Sequence, residues 1–168
     1  FTPEQARFVL WWYSIDENGR FLNRYGMFRR MKGHGKDPLG AALCCVEFIG
    51  PCRFERFLAG EVVAASHPAA WVQIAAVSRD QTRNTMTLFP GMLSPRAVAE
   101  FEIDLGKEII YAHHGRQRIE AVTSSPRSLE GGRSTFVLKN ETQHWRATDE
   151  GHEMATVIAR NLGKSRDG

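Results

Sequence analysis

The chain contains no run of 18 apolar residues, so no segment of it reads as a membrane-spanning helix. Its N-terminus lacks a basic stretch leading into an apolar core and a small-residue cleavage site, so no secretory signal is expected and the chain reads as intracellular. Cysteine is scarce. Cys44, Cys45 and Cys52 form an odd set with no C-x-x-C pair, which argues against a disulfide framework or a zinc cage and leaves them as small core hydrophobes. Internal repeats and low-complexity tracts are missing as well. No G-x-S-x-G setting surrounds Ser124-Ser125, so that pair before Pro126 reads as a turn rather than a nucleophile. His113, His114, His144 and His152 have no matching second set of ligands, which argues against a metal centre built on histidine.

What is present suits one ordinary α/β domain. The 168 residues can bury a real core but not two comfortable ones, and an apolar content of 42% plus 15 glycines excludes wholesale disorder. The first residue is Phe1 rather than Met, and residues 163–168 are polar with no element closing them, so residues 1–168 are read as a single-domain segment of something longer, with some partner strands of its sheet absent.

Thr2-Pro3-Glu4-Gln5 carries a capping-box pattern that opens a helix through about residue 15. Asp16-Glu17-Asn18-Gly19 is a turn, residues 21–31 read as extended chain, and residues 39–48 form a buried helix ending at Gly50-Pro51. Residues 51–70 show no sustained period and read as a long irregular connection. Residues 71–77 are nearly continuous apolar chain of the kind buried on both faces in a parallel sheet, followed by Ser78 as N-cap of a helix to residue 89. Residues 108–112 and 118–123 pair as a hairpin, residues 135–138 form another buried strand, and residues 151–162 a closing helix. Strands alternating with helices predict a largely parallel sheet.

The charge is +3 overall, but residues 20–36 hold six cations (Arg20, Arg24, Arg29, Arg30, Lys32, Lys36) and no acid. Such a run is either a solvated face or an anion site. It ends in Arg29-Arg30-Met31-Lys32-Gly33-His34-Gly35-Lys36-Asp37, between an extended segment and an Ala-rich helix. A P-loop needs glycines that let backbone N–H groups turn towards phosphates, a lysine for the terminal phosphates, and a hydroxyl for Mg²⁺. Gly33 and Gly35 with His34 between them supply the backbone and Lys36 the cation, while Arg30 stands at the first glycine position and Asp37 at the hydroxyl position. The alternative is a glycine-rich turn with Asp37 as N-cap and Pro38 as first helical residue.

Phosphoryl transfer also needs acidic groups at the end of a buried strand. Phe136-Val137-Leu138-Lys139-Asn140-Glu141 has that layout, with Glu141 where a general base would stand and Asn140 where a metal-binding Asp is expected; a strand entering a polar turn is the other reading. The two departures compensate, since the carboxylate missing at Asn140 reappears at Asp37, which predicts Asp37 and Asn140 beside Mg²⁺. Arg29, Arg30, Arg127 and Arg133 could each reach a transition state, and none stands out.

These motifs in this order resemble the ATPase half of a large terminase subunit, the DNA-packaging motor of tailed bacteriophages. The resemblance rests on the capped aromatic helix, R-R-M-K-G-H-G-K, W-V-Q-I-A-A-V-S-R-D-Q-T-R-N-T, V-T-S-S-P-R-S-L-E-G-G-R-S-T-F-V-L and N-E-T-Q-H-W. It implies a P-loop NTPase three-layer fold with a largely parallel sheet, incomplete at the C-terminal end, and ATP hydrolysis coupled to moving double-stranded DNA into a procapsid in the host cytoplasm. The implied partners are portal, small terminase subunit and a homo-oligomeric ring when full length, with no membrane; the nuclease domain of such proteins lies outside this segment. The family's P-loop lysine falls on Lys36, its catalytic glutamate on Glu141, its upstream basic residue on Lys32 and its adenine-contacting glutamine on Gln5. A helicase-like DNA translocase and a non-hydrolysing nucleotide- or DNA-binding assembly module are the alternatives.

Overall fold

The computed structural model describes residues 1–123 and 131–162. Helix α1, Pro3–Trp12, starts where the sequence predicts it. Thr2 Oγ1 accepts from the Gln5 amide and Gln5 Oε1 accepts from the Thr2 amide, with Pro3 in the first turn. Phe8, Trp12 and Tyr13 pack on the core, whereas Trp11 stays exposed. The following turn closes through Asp16, whose carboxylate accepts from the Asn18 and Arg20 amides, and these bonds hold its pKa below the usual carboxylate range. Gly19, at a φ of 77°, meets the Phe54 ring and has no room for a side chain.

Helix α2, Lys36–Ile49, is Ala-rich and buries Leu39, Ala41, Leu43, Cys44 and Phe48. The three thiols are free, and burial pushes Cys45 up to about 11 and Cys52 up to about 12. Strand β3, Trp71–Ala76, is buried along most of its length because it has parallel neighbours on both sides: β6, Gln117–Thr123, and β7, Phe136–Lys139. Val72 and Ile74 face α2, while Ala75 and Val137 face Met154, Val157 and Ile158 of the last helix, α6, Gly151–Leu162. Alternation along one buried strand thus supplies two apolar faces. Ser78 caps α3, Arg79–Met86, by accepting from the Gln81 amide; short helices α4, Phe89–Met92, and α5, Pro95–Glu100, follow.

The sheet corrects the expected architecture. Its order is β4-β5-β6-β3-β7, with β4, Asp104–Leu105, and β5, Ile109–Ala112, both antiparallel to their neighbours. It is a mixed five-stranded sheet and not the largely parallel sheet of a P-loop NTPase three-layer fold. The turn at residues 113–116 is far shorter than a parallel crossover requires, so β5 and β6 can pair only as a hairpin. Residues 21–31, read as extended chain before the glycine loop, add no strand to the sheet, and only Phe21 bridges back to Ile15. β7 is therefore an edge strand among the described residues.

Residues 51–70 are also more ordered than expected. β1, Arg53–Leu58, and β2, Glu61–Ala65, form a separate hairpin. Its two turn residues, Ala59 and Gly60, both have positive φ, at 52° and 83°, which matches the twist of paired strands. The signal was hidden because Ala-Gly replaces the usual Asn-Gly. Helix α3 stops at Met86 rather than at residue 89. Ser124, Ser125, Arg127 and residues 163–168 lie outside the described residues.

One charged cluster pins α2 to the rest. The Glu47 side chain is 3% exposed; its Oε2 lies 2.8 Å from Arg53 Nη2 and its Oε1 accepts from Tyr13 Oη at 3.0 Å. Arg53 also donates to the Thr135 carbonyl just before β7. Burial and the adjacent Glu47 carboxylate raise the Tyr13 pKa, which keeps its hydroxyl a donor. Removing one partner leaves a buried charge uncompensated, so Glu47→Ala is expected to cost about 3–5 kcal/mol, measured by urea unfolding against wild type.

Candidate functional site

The glycine loop ends directly at the start of α2. Gly33 and Gly35 both have positive φ, 87° and 68°, and Gly35 is the N-cap of the helix in a left-handed conformation. Asp37 is therefore in the first turn and is not the cap, and Pro38 is the third helical residue rather than the first. No side chain caps this end, so first-turn amides keep the anion affinity that the helix dipole gives them. Space for a Cβ is open at Gly33.

Lys36 folds back across the loop. Its Nζ donates to the carbonyls of Arg30, at 3.1 Å, and Met31, at 3.4 Å. Gln5 reaches the same loop from α1: besides closing its own capping box, its Nε2 contacts the His34 and Gly35 carbonyls at 3.5 Å. Gln5 thus acts as the capping residue, and the same side chain touches the loop. Arg30 pairs with Glu4 of α1, with its guanidinium stacked over Phe28. Lys32 and His34 are exposed on the loop surface.

The second half of the site comes from β7. Asn140 continues the ladder, its amide donating to the Ala75 carbonyl at 2.8 Å, while its own carbonyl accepts from Trp145 Nε1 at 3.0 Å. Its Nδ2 points to α3, donating to the Gln81 carbonyl and Thr85 Oγ1. Glu141 has a φ of 50°, a left-handed conformation that costs a non-glycine residue strain energy. Gln143 Nε2 donates to its carboxylate, and His144 Nε2 lies 3.9 Å from it.

Helix α2 packs closely on β7 at Gly40. One turn into α2, a Cβ at this position would come within 2.9 Å of the Leu138 side chain, so the helix rests directly on β7 two residues before Asn140. Lys36 and Asp37, with Asn140 and Glu141, are among the residues lining one long groove of about 1650 Å³, which also runs past Gly19, His67 and Thr135. Lys139 also lines it, and burial lowers its pKa. Sequence reasoning missed the part played by Gly40, Gln81 and Thr85. The lone glycine inside an otherwise strong helix was the available signal for the first; the other two lie in the segment W-V-Q-I-A-A-V-S-R-D-Q-T-R-N-T, which was singled out without a role for either.

Of the arginines considered, Arg29 and Arg30 border this groove, whereas Arg133 lies at the other end of the sheet strands. His114 pairs with Glu102 at 2.9 Å, away from His144 beside Glu141. Among the described residues no helix is long and apolar enough to cross a membrane, and no three His, Cys, Asp or Glu side chains gather as a metal cage.

Two curated relatives are similar to this chain over 169 aligned residues. They are the Gene 13 protein of Mycobacterium phage D29, 50% identical, and the Gene 13 protein of Mycobacterium phage L5, 51% identical. Each alignment covers 97% of this chain and 28% of the relative, so the chain spans little more than a quarter of their length. No family model and no solved structure matches it. The chain is thus similar to one segment of a longer mycobacteriophage protein.

Proposed function

We propose that the chain is the ATP-hydrolysing part of a phage DNA-packaging motor of the large-terminase kind, working on double-stranded DNA with portal, small subunit and ring neighbours in the host cytoplasm. The observation that carries this reading is the convergence on one groove of an uncapped helix N-terminus with Lys36 and a strand end with Glu141. Similarity to bacteriophage proteins supports the setting.

Backbone N–H groups of the loop and of the first turn of α2 would hold the phosphates, and Lys36 Nζ would exchange two carbonyls for phosphate oxygens. Glu141 would take a proton from water as its oxygen bonds to the terminal phosphorus and the bridging oxygen leaves with ADP. The donors in the groove suit Mg²⁺. Asp37 and Glu141 offer hard carboxylate oxygens, and with Nδ2 engaged on α3, Asn140 has Oδ1 to present. With so few protein ligands, Asp37 and Asn140 would hold the ion together with phosphate oxygens and water. When bound, it supplies charge neutralisation between phosphates. Lys32 is placed to add charge from the loop surface, and Gln5 to fix the loop beside the base.

One observation favours binding without hydrolysis: the Asn140 amide is spent on α3 rather than directed at Asp37. Calorimetric ATP titrations with and without Mg²⁺, paired with phosphate-release assays, separate the readings. Lys36→Ala is expected to weaken ATP binding at least tenfold; unchanged affinity would remove the phosphate site from the loop. Glu141→Gln should keep ATP affinity and lower turnover by about 10²–10⁴, whereas Mg²⁺-independent binding with no turnover in wild type would favour the assembly module. For the compensating pair, Asp37→Ser and Asn140→Asp should each lower Mg²⁺-dependent affinity and the double variant should recover it. Additive loss would contradict the exchange.

A further inference from the structure

The opposite end of the parallel strands carries different chemistry. Trp71 opens β3, Arg118 stands second in β6, and Thr135 precedes β7; together with His67, Arg116 and Arg133 they surround a pocket of about 450 Å³. β3 is six residues long, roughly 17 Å at about 3.3 Å per strand residue, and this pocket lies at its start, where His67 and Thr135 also line the end of the long groove.

The pocket is organised around a stacked guanidinium. Arg118 Cζ lies 3.9 Å from the Trp71 ring centroid, and Glu120 fixes the indole by accepting from Trp71 Nε1 at 2.9 Å. Glu120 also stands 3.8 Å from Arg118 Nε, which turns the fork without removing the charge contributed by its neighbours. Arg116 is braced by its own turn, Nε donating to the His113 carbonyl. Among the described residues no carboxylate pairs with Arg116 or Arg133. His67 is held by the buried Gln117, whose Nε2 donates to the His67 carbonyl at 2.6 Å. The Ala69 amide donates to His67 Nδ1.

Among the described residues the lining holds three arginines and no lysine or carboxylate, and the nearby Glu120 is engaged on Trp71 and Arg118, which suits an oxyanion with several accepting oxygens such as a phosphodiester. Apart from the stacked Trp71, the apolar lining is Ala69 and Ala70. A protein partner would find little to anchor on, because interface energy concentrates in buried aromatic and aliphatic contacts. Nucleic-acid interfaces are polar and arginine-rich, and draw most of their affinity from phosphates.

We propose that this pocket, with Arg116, Arg118 and Arg133 around Trp71, grips the phosphodiester backbone of duplex DNA through residues that the long groove does not share. The test is fluorescence anisotropy of a labelled 20-base-pair duplex on the protein at 50, 100 and 200 mM salt. The pair Arg116→Glu with Arg133→Glu should weaken binding at least tenfold and flatten the slope of log affinity against log salt by about 1.8, two lost phosphate contacts at about 0.9 each. ATP affinity should be unchanged. Arg116→Gln with Arg133→Gln should move both quantities in the same direction by less, and decides the matter if the reversal pair does not fold. Wild-type affinity and slope in a folded variant would overturn the proposal. So would polyglutamate of equal charge binding this pocket as tightly as the duplex, or sodium phosphate shifting tryptophan emission where the duplex does not.

Discussion

The close seating of helix α2 on strand β7 is the constraint on which the rest of the molecule depends. Gly40 removes the side chain that would otherwise hold the two apart, and Leu138 fills the space. An apolar contact of this kind sets distance but not direction. Direction comes from the far end of the helix, where Glu47, Arg53 and Tyr13 form a buried charged cluster that also reaches the backbone before β7. Fastened at both ends to one strand, α2 can point its N-terminus only at the strand's carboxyl end, where Asn140 and Glu141 follow.

β7 connects the two chemistries of the protein. Its carboxyl end meets an uncapped helix terminus with a lysine; its amino end, through Thr135, borders a pocket of arginines. Parallel strands flanked by helices concentrate ligand chemistry at their carboxyl ends, and the loop groove follows that rule. The arginine pocket does not depend on helix dipoles at all. It is assembled from side chains at the starts of β3 and β6, with an aromatic stack in place of a backbone cradle.

Much of the local structure was legible. The capping box at Thr2 and Gln5, the Asp16 turn, the Ser78 cap and the run at Trp71 each act through neighbours within a few residues, and each formed as expected. The candidate site was legible in composition but not in detail. Residue types at 33–37 and 140–141 suggested phosphate chemistry, yet the sequence could not say that Gly35 rather than Asp37 caps the helix. Nor could it reveal that the Asn140 amide is engaged by α3, because Gln81 and Thr85 stand more than fifty residues away.

By itself the sequence determined that residues 71–76 are buried, where α1 and α3 begin, and which loop is rich in glycine and positive charge, because these follow from side-chain period and backbone chemistry over short spans. Only the tertiary structure decided that the sheet is mixed, that residues 22–35 stay out of it, that residues 53–65 pair with themselves, and that Lys36 and Glu141 share a groove. Strand partnership is a competition among distant segments for the same backbone donors and acceptors. Its outcome rests on packing such as Gly40 against Leu138, which no local window contains.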